Sequence, residues 1–350
     1  MDTKVRNVME EDSEEYYREA SAILQAGGLV AFPTETVYGL GGNGLDSQAA
    51  KKIYGAKGRP SDNPLIIHIG NKAHLTELVS EVPDVAWNLA DAFWPGPLTM
   101  ILPKAEKVPY STTGGLDTVA IRMPNHPVAL RLLEESGIFI AAPSANTSGR
   151  PSPTLASHVY EDLNGKIDMI LDGGMVELGL ESTIVDLTEK IPVILRPGCI
   201  SKVMLEKVVG EVTVDPAILQ ADKNSTRPPK APGMKYKHYA PKAELTIVSG
   251  TQEKVWAWIN EKIAENEKQG LRTGILATDE SASGYCGGIV RSVGARGEAG
   301  QIARGLYKVL REFDHLQVDY IFAESFETDE MGAAIMNRLL KAAGYAVEKV

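Results

Sequence analysis

The sequence predicts an α/β protein in two parts. A mixed, twisted open sheet with helices is expected over residues 1–210, and a small Rossmann-like parallel α/β domain over 243–350, with a linker at 211–242. Three observations predict this. Helix-period and strand-period stretches alternate along most of the chain. In the first 210 residues many strand signals lie closer together than βαβ units permit, which calls for antiparallel pairs. After residue 243 the signals run strand, helix, strand, helix, strand, helix, the order of a small parallel sheet. A length of 350 residues allows two domains at roughly 150 residues each.

The elements follow in order. An amphipathic stretch from Glu14 to Gln25 stops at Gly27-Gly28, a helix with a glycine stop. Residues 29–32 read as a short buried strand ended by Pro33. Gly39-Leu-Gly41-Gly-Asn-Gly44 matches G-x-G-x-x-G, but a dinucleotide fingerprint belongs at the turn from a strand into a helix. Here Pro33-Thr-Glu-Thr-Val-Tyr38 intervenes, so a tight glycine turn is expected and no dinucleotide cofactor. Ser47 is expected to cap a helix running to Ala56. Strands are expected at 65–69, 98–102, 118–123, 138–142, 169–171, 182–187 and 193–195, and helices at 85–93 and 127–135. Pro216, Pro228, Pro229, Pro232 and Pro241 make the stretch 215–241 an extended linker rather than helix or sheet. Beyond it, strands at 245–249, 272–277 and 319–323 alternate with helices at 253–268, 300–313 and 333–343.

Charge and composition narrow the function classes. The chain has 36 basic and 46 acidic side chains, a formal charge of −10, which argues against a protein that coats nucleic acid by bulk positive charge. The distribution is uneven. Residues 1–210 carry 18 basic and 27 acidic side chains, net −9; residues 211–242 carry 6 and 3, net +3; residues 243–350 carry 12 and 16, net −4. Two cysteines, Cys199 and Cys286, make neither a disulfide framework nor a four-cysteine zinc site. The six histidines are scattered without H-E-x-x-H spacing, so no zinc is expected. A Walker G-x-x-x-x-G-K-[ST] and a G-x-S-x-G elbow are both absent from the sequence. The acidic N-terminal residues hold no apolar h-region, and no apolar run approaches the ~18 residues of a span, so a cytoplasmic protein with no membrane contact is expected.

What remains is a set of cations and hydroxyls at strand ends and glycine turns. Lys57-Gly-Arg59 closes a helix and precedes Asn63-Pro; two cations flanking a glycine can wrap phosphate oxygens, and a solvated helix end fits equally. Ser144 and Asn146 follow a strand and suit either a helix cap or hydrogen bonds to a nucleotide. Thr118 and Arg122 lie four apart on one strand, hence on one face. An arginine in an apolar strand needs a partner, and a ligand carboxylate would serve in two hydrogen bonds. His68 interrupts another apolar strand, and a satisfied core histidine fits there too. Ser182-Thr183 and Arg196 stand at the start of one strand and the end of the next.

Taken together these segments have a specific order. Pro-Thr34-Glu-Thr36-Val-Tyr38-Gly-Leu, Lys57-Gly-Arg59-Pro, Asn63-Pro-Leu, Trp94-Pro-Gly-Pro-Leu-Thr, Ser144-Ala-Asn146, Glu181-Ser182-Thr-Ile-Val-Asp and Leu195-Arg196-Pro-Gly follow one another. The set closely resembles the YrdC/Sua5 family of L-threonylcarbamoyladenylate synthases. The tail resembles the Sua5-type C-terminal domain, and Pro232-Gly-Met-Lys-Tyr-Lys-His-Tyr-Ala-Pro241 that subfamily's interdomain linker.

The resemblance implies a YrdC-like fold for the first part and the first step toward the N6-threonylcarbamoyl modification of adenosine 37 in tRNAs reading ANN codons. L-Threonine, bicarbonate or CO2, and ATP would give threonylcarbamoyl-AMP and pyrophosphate. The product would pass to the tRNA threonylcarbamoyl-transferase machinery, with at most weak contact to tRNA itself. It further implies that Lys57 and Arg59 act as catalytic cations and bind ATP with Asn63, Thr118, Ser144, Asn146, Ser152 and Arg196. Thr36, His68, Arg122, the backbone at Ala142, and Ser182 would hold threonine. Mg2+ would arrive with ATP. The linker is expected to act as a lid, with Tyr236 and His238 as its nucleotide contacts. Two rival classes remain: an RNA-binding module, and a carbamoyl-transfer enzyme like the related domains of hydrogenase-maturation proteins, whose zinc-finger and acylphosphatase-like segments this chain lacks.

Overall fold

The computed structural model describes residues 2–10, 13–218, 230–232, 238–327 and 330–350. The chain divides into two compact units. The first holds residues 1–148, 152–177 and 181–235; the second holds 149–151, 178–180 and 236–350.

The first unit is built on a mixed sheet. Its strands are β1 Lys4–Asn7, β2 Val30–Pro33, β3 Tyr38–Asn43, β4 Ile66–His68, β5 Leu98–Pro103, β6 Thr118–Arg122, β7 Ile140–Ala141, β8 Met169–Asp172, β9 Thr183–Asp186, β10 Val193–Arg196 and β11 Thr213–Val214. They lie in the order β1-β8-β2-β3-β7-β4-β6-β5-β9-β10-β11. Parallel pairs such as β4 with β6 alternate with antiparallel ones such as β5 with β6 and β2 with β3, as the crowded strand signals require.

Local chemistry fixes the helix that carries Lys57. It spans Ser47–Lys57, and Asp46, not Ser47, caps it by accepting the Gln48 N–H. Asp46 is the residue in extended conformation at the helix start, so its carboxylate meets the second helical amide. Gly58 ends the helix at φ +61, a left-handed cap that a side chain resists.

The glycine-rich segment is strand β3, not the expected turn. Its glycines are there for packing: a Cβ on Gly41 would meet Ile140 and Phe32 below 3.0 Å. The strand is held from both sides by β2 and β7, and such tertiary pairing overrides glycine's poor strand propensity. A 3-10 turn at Pro216–Ile218 also interrupts the stretch expected to be extended throughout.

The two faces of this sheet are covered differently. One face packs Ile67, Met100, Ile121 and Val185 under residues of the helices Ser47–Lys57, Asp84–Phe93, Ala156–Leu163 and Lys202–Val209. On the other, Val30, Phe32 and Met169 lie under the helices Glu14–Gln25 and Pro127–Ser136. The remainder of that second face, with Ile66, Ala120, Ile101, Ile184 and Leu195, forms a small cluster closed by Ala231 of the linker rather than by a helix residue. Lys230 anchors that segment through a 3.0 Å pair with buried Asp186.

In the second unit, strands β12 Glu244–Ser249, β13 Thr273–Ala277, β14 Ile289–Ser292, β15 Tyr320–Glu324 and β16 Val347–Lys349 form a sheet in the order β14-β13-β15-β12-β16. Every pairing in it is parallel among the described residues. The helices Gln252–Lys268, Ala299–His315 and Glu330–Ala342 follow β12, β14 and β15 as the alternating signals predicted, while β13 runs to β14 without an α-helix and β14 and β16 are strands beyond the three expected.

Candidate active site

The helix-free part of the first unit's sheet carries a row of polar side chains. His68 stands opposite Arg122 across β4 and β6, and Arg122 opposite Thr99 across β6 and β5. Opposed residues project to the same face, here that of Ile66, Ala120 and Ile101. Thr118 shares the face at the other end of β6, about 13 Å away along the strand. A bulge between Ile194 and Arg196 brings Arg196 opposite Ile184. The extra residue turns Arg196 to this face, against strict alternation. There its Nε donates to Ser182 O at 3.0 Å and its Nη2 to Ser182 Oγ at 3.1 Å. Ser182 Oγ in turn lies 2.7 Å from Thr99 Oγ1.

Arg122 is the centre of a second group. Its Nε donates to Gly96 O at 3.3 Å and its Nη1 to Thr36 Oγ1 at 2.9 Å. Thr36 is held by Thr34, whose hydroxyl lies 2.8 Å away in the turn between β2 and β3. The Nη2 lies 2.6 Å from Glu35 Oε1, with both side chains 5 % exposed or less. That approach is not along an N–H: Arg122 Nη2 and both Glu35 oxygens are buried without an aligned hydrogen bond.

The third group joins two motifs almost ninety residues apart. Lys57 Nζ donates to Ser144 O at 2.5 Å and to Asn146 O. Ser144 Oγ donates to Asn146 Oδ1 at 2.5 Å. Gly39 of β3 bridges Ser144, and Ala145 N donates to Tyr38 O at 2.8 Å, so this loop lies against the same strand that begins beyond Thr36. Arg59 folds over its own loop, donating to Asn63 O at 3.2 Å and Pro64 O at 3.1 Å. Asn63 is 1 % exposed, yet its Oδ1 has no donor. Nearby, Ser152 Oγ donates to Glu181 Oε1 at 2.6 Å.

Burial pushes His68 down to about 3, with the Arg122 charge acting in the same direction and the Ile66 carbonyl opposing. The ring is therefore neutral near pH 7, with Nδ1 donating to Ile66 O at 3.1 Å. His68 is thus a buried histidine with Nδ1 satisfied, standing opposite Arg122.

The sequence-predicted residues thus fall into several small groups. Lys57, Ser144 and Asn146 touch one another; Thr36 touches Arg122; Ser182 touches Arg196; and Thr99 links the Arg122 row to Ser182. Ala142 lies beside them, with its N–H spent on Ile66 O at 2.8 Å. Thr118 stands apart at the rim. Tyr236 lies outside the described residues, and His238 belongs to the second unit. Sequence reasoning gave no role to Glu35, Thr99 or Glu181, although each sits inside a quoted motif. For Glu35 the available signal was a carboxylate between two threonines at a strand end.

No group of three His, Cys, Asp or Glu side chains lies together as a metal site among the described residues. No helix there is long and apolar enough to cross a membrane.

The chain is similar to known proteins along nearly its whole length. A family model described as "Telomere recombination" (Sua5_yciO_yrdC) matches residues 22–198, and one described as "Threonylcarbamoyl-AMP synthase, C-terminal domain" matches residues 200–344. A threonylcarbamoyl-AMP synthase of Pyrococcus abyssi is 50% identical over 99% of this chain and 100% of its own length. One from Bacillus subtilis is 51% identical over 93% of this chain and 92% of its own. The crystal structure of P. abyssi Sua5 complexed with L-threonine superposes with TM-score 0.93, at 50% identity, covering 99% of this chain and 100% of that one.

Proposed function

The chain belongs to the Sua5/YrdC family of threonylcarbamoyl-AMP synthases, nucleotidyltransferase-type enzymes, and from that premise we propose that it joins L-threonine, bicarbonate or CO2, and ATP into threonylcarbamoyl-AMP and pyrophosphate. The observation that carries this reading is the junction of Lys57 with Ser144 and Asn146, which assembles a lysine, a hydroxyl and an amide beside a glycine strand. Threonine's neutral amine captures CO2, forming an N–C bond and losing a proton. A carbamate oxygen then attacks the α-phosphorus of ATP in line, and the bond to the bridging oxygen breaks as pyrophosphate leaves. Such displacement depends on positioning and on neutralising phosphate charge. Lys57, Arg59 and Arg196 supply the charge; Asn63, Thr118, Ser144, Asn146 and Ser152 place the nucleotide.

Threonine lies on the Arg122 row in this reading. Arg122 takes its carboxylate, Thr36 and the backbone at Ala142 flank it, and His68 and Ser182 read its amine and hydroxyl. A site built around the hydroxyl disfavours valine, which would leave buried polar groups unpaired. In this reading magnesium belongs to the substrate, carried on the ATP phosphates.

The linker serves as the lid. Ala231 and the Lys230–Asp186 pair support this by holding residues 230–231 against the site face; Tyr236 and His238 are the nucleotide contacts this reading expects of it. A cover is useful because carbamates and mixed anhydrides hydrolyse in open water. The product goes to the machinery that modifies adenosine 37 of tRNA, and the protein works in the cytoplasm. The test is pyrophosphate release with and without L-threonine and bicarbonate. Release that requires both is expected; ATP turnover indifferent to threonine would overturn the assignment.

A further inference from the structure

Arg122 and Glu35 form a buried ion pair with an unusual surplus. A buried pair is stable when geometry is good and the remaining donors and acceptors are filled. Here they are not filled. Arg122 spends Nε on Gly96 O and Nη1 on Thr36 Oγ1, while Nη2 makes no aligned hydrogen bond. Glu35, 3 % exposed, has no aligned donor at either carboxylate oxygen. His126 also feels its charge: burial pushes the titration of that ring down, and Glu35 and Glu177 pull it up. One pole therefore offers unspent cationic N–H groups, and the pole 2.6 Å away offers unspent anionic oxygens. Leaving such groups unfilled in the interior is costly. A molecule carrying a carboxylate and an ammonium on one carbon would fill both.

Resting on the threonine reading above, we propose that the Arg122–Glu35 pair is a receptor for an α-amino-acid zwitterion: the substrate inserts its carboxylate at Arg122 and its α-ammonium at Glu35. Glu35 thereby becomes a specificity-determining residue that selects an amino acid over the corresponding hydroxy acid. The two side chains neutralise each other, which keeps Arg122 in place. His68 complements the arrangement as a neutral ring on the strand position opposite Arg122.

The experiment compares binding of L-threonine, of (2S,3R)-2,3-dihydroxybutanoate, which replaces the amine by a hydroxyl, and of L-threoninamide, which lacks the carboxylate charge. Titration calorimetry is run on the full chain, its Glu35→Gln and its Glu35→Asp variants, each checked for folding by its melting curve. The wild type is expected to favour threonine over the hydroxy acid by about ten- to a hundredfold, the value of a hydrogen bond to a charged group. Glu35→Gln should shrink that preference to about threefold or less while keeping the preference over the amide, which Arg122 carries. Glu35→Asp should restore part of the first preference. An unchanged threonine-to-hydroxy-acid ratio in Glu35→Gln overturns the inference alone. Because the ratio is taken within one protein sample, partial unfolding does not alter it. Failure of the wild type to bind threonine at all would overturn the proposed function and this inference with it.

Discussion

In the first unit Lys57, Arg122 and Arg196 are buried against carbonyls and hydroxyls at the ends of strands. In the second, Arg311 and Arg338 are buried more completely still. Arg311 donates to Pro151 O at 2.6 Å, and Arg338 lies over the Tyr239 ring, which stacks on Tyr307. The second unit also buries a carboxylate, Glu324, which meets both Tyr285 and Arg296. Burial of charge is thus common to both units and marks no site by itself. The contrast lies in the acceptors. Glu324 has its donors, whereas Glu35 and the Asn63 Oδ1 do not. Buried acceptors without donors cost stability, and a ligand that fills them recovers that cost.

Mutation can break this comparison most forcefully at Lys57. Lys57→Ala removes a cation from the phosphate path and the clamp on the loop of Ser144 and Asn146. It should lower kcat/KM by roughly 10²–10³, the scale of losing one preorganised electrostatic donor. Pyrophosphate release measures it, and wild-type kinetics would refute the nucleotide assignment.

A smaller effect separates the two kinds of buried acceptor directly. Asn63→Leu deletes an acceptor that has no donor, so unfolding in urea should show equal or greater stability, while the KM for ATP rises about tenfold, near the ~1.4 kcal/mol of one hydrogen bond. Glu324→Gln weakens a satisfied acceptor and should do the reverse. It should lose about 1–3 kcal/mol of stability and leave kcat/KM of the folded enzyme within about twofold. Equal behaviour of the two variants would remove the distinction.

The sequence revealed the punctuation of the site better than its contacts. Gly58 after Lys57, and an arginine ending an apolar strand at 122, are local signals, and both stand where those signals put them. Strand β3 was hidden because glycines express no strand preference; two neighbouring strands hold it there. The same holds for Arg196, whose facing depends on a bulge that no residue type announces. Glu35 was visible as a letter but not as a partner, since its meaning comes from an arginine eighty-seven positions away. The parallel sheet was legible from the change of rhythm beyond the linker prolines. That residues 149–151 and 178–180 group with the second unit was not, because such grouping is a property of packing.

His68 gives the gentlest test, through pH. Its folded-state value, pushed down to about 3, lies below the ordinary 6.5. Between those limits the unfolded chain binds a proton that the folded chain refuses, so stability falls as pH falls. The contribution is whole above pH 6.5 and erodes from there toward pH 3, at about 1.4 kcal/mol per pH unit where the difference is one full proton. Urea unfolding of the wild type and of His68→Gln at a series of pH values should give curves that converge toward acid, because glutamine has no proton to refuse. Parallel curves from pH 7 to pH 4.5 would mean that His68 titrates normally. The ring would then face water rather than the interior, and the neutral acceptor invoked for the threonine amine would be lost below pH 6.5.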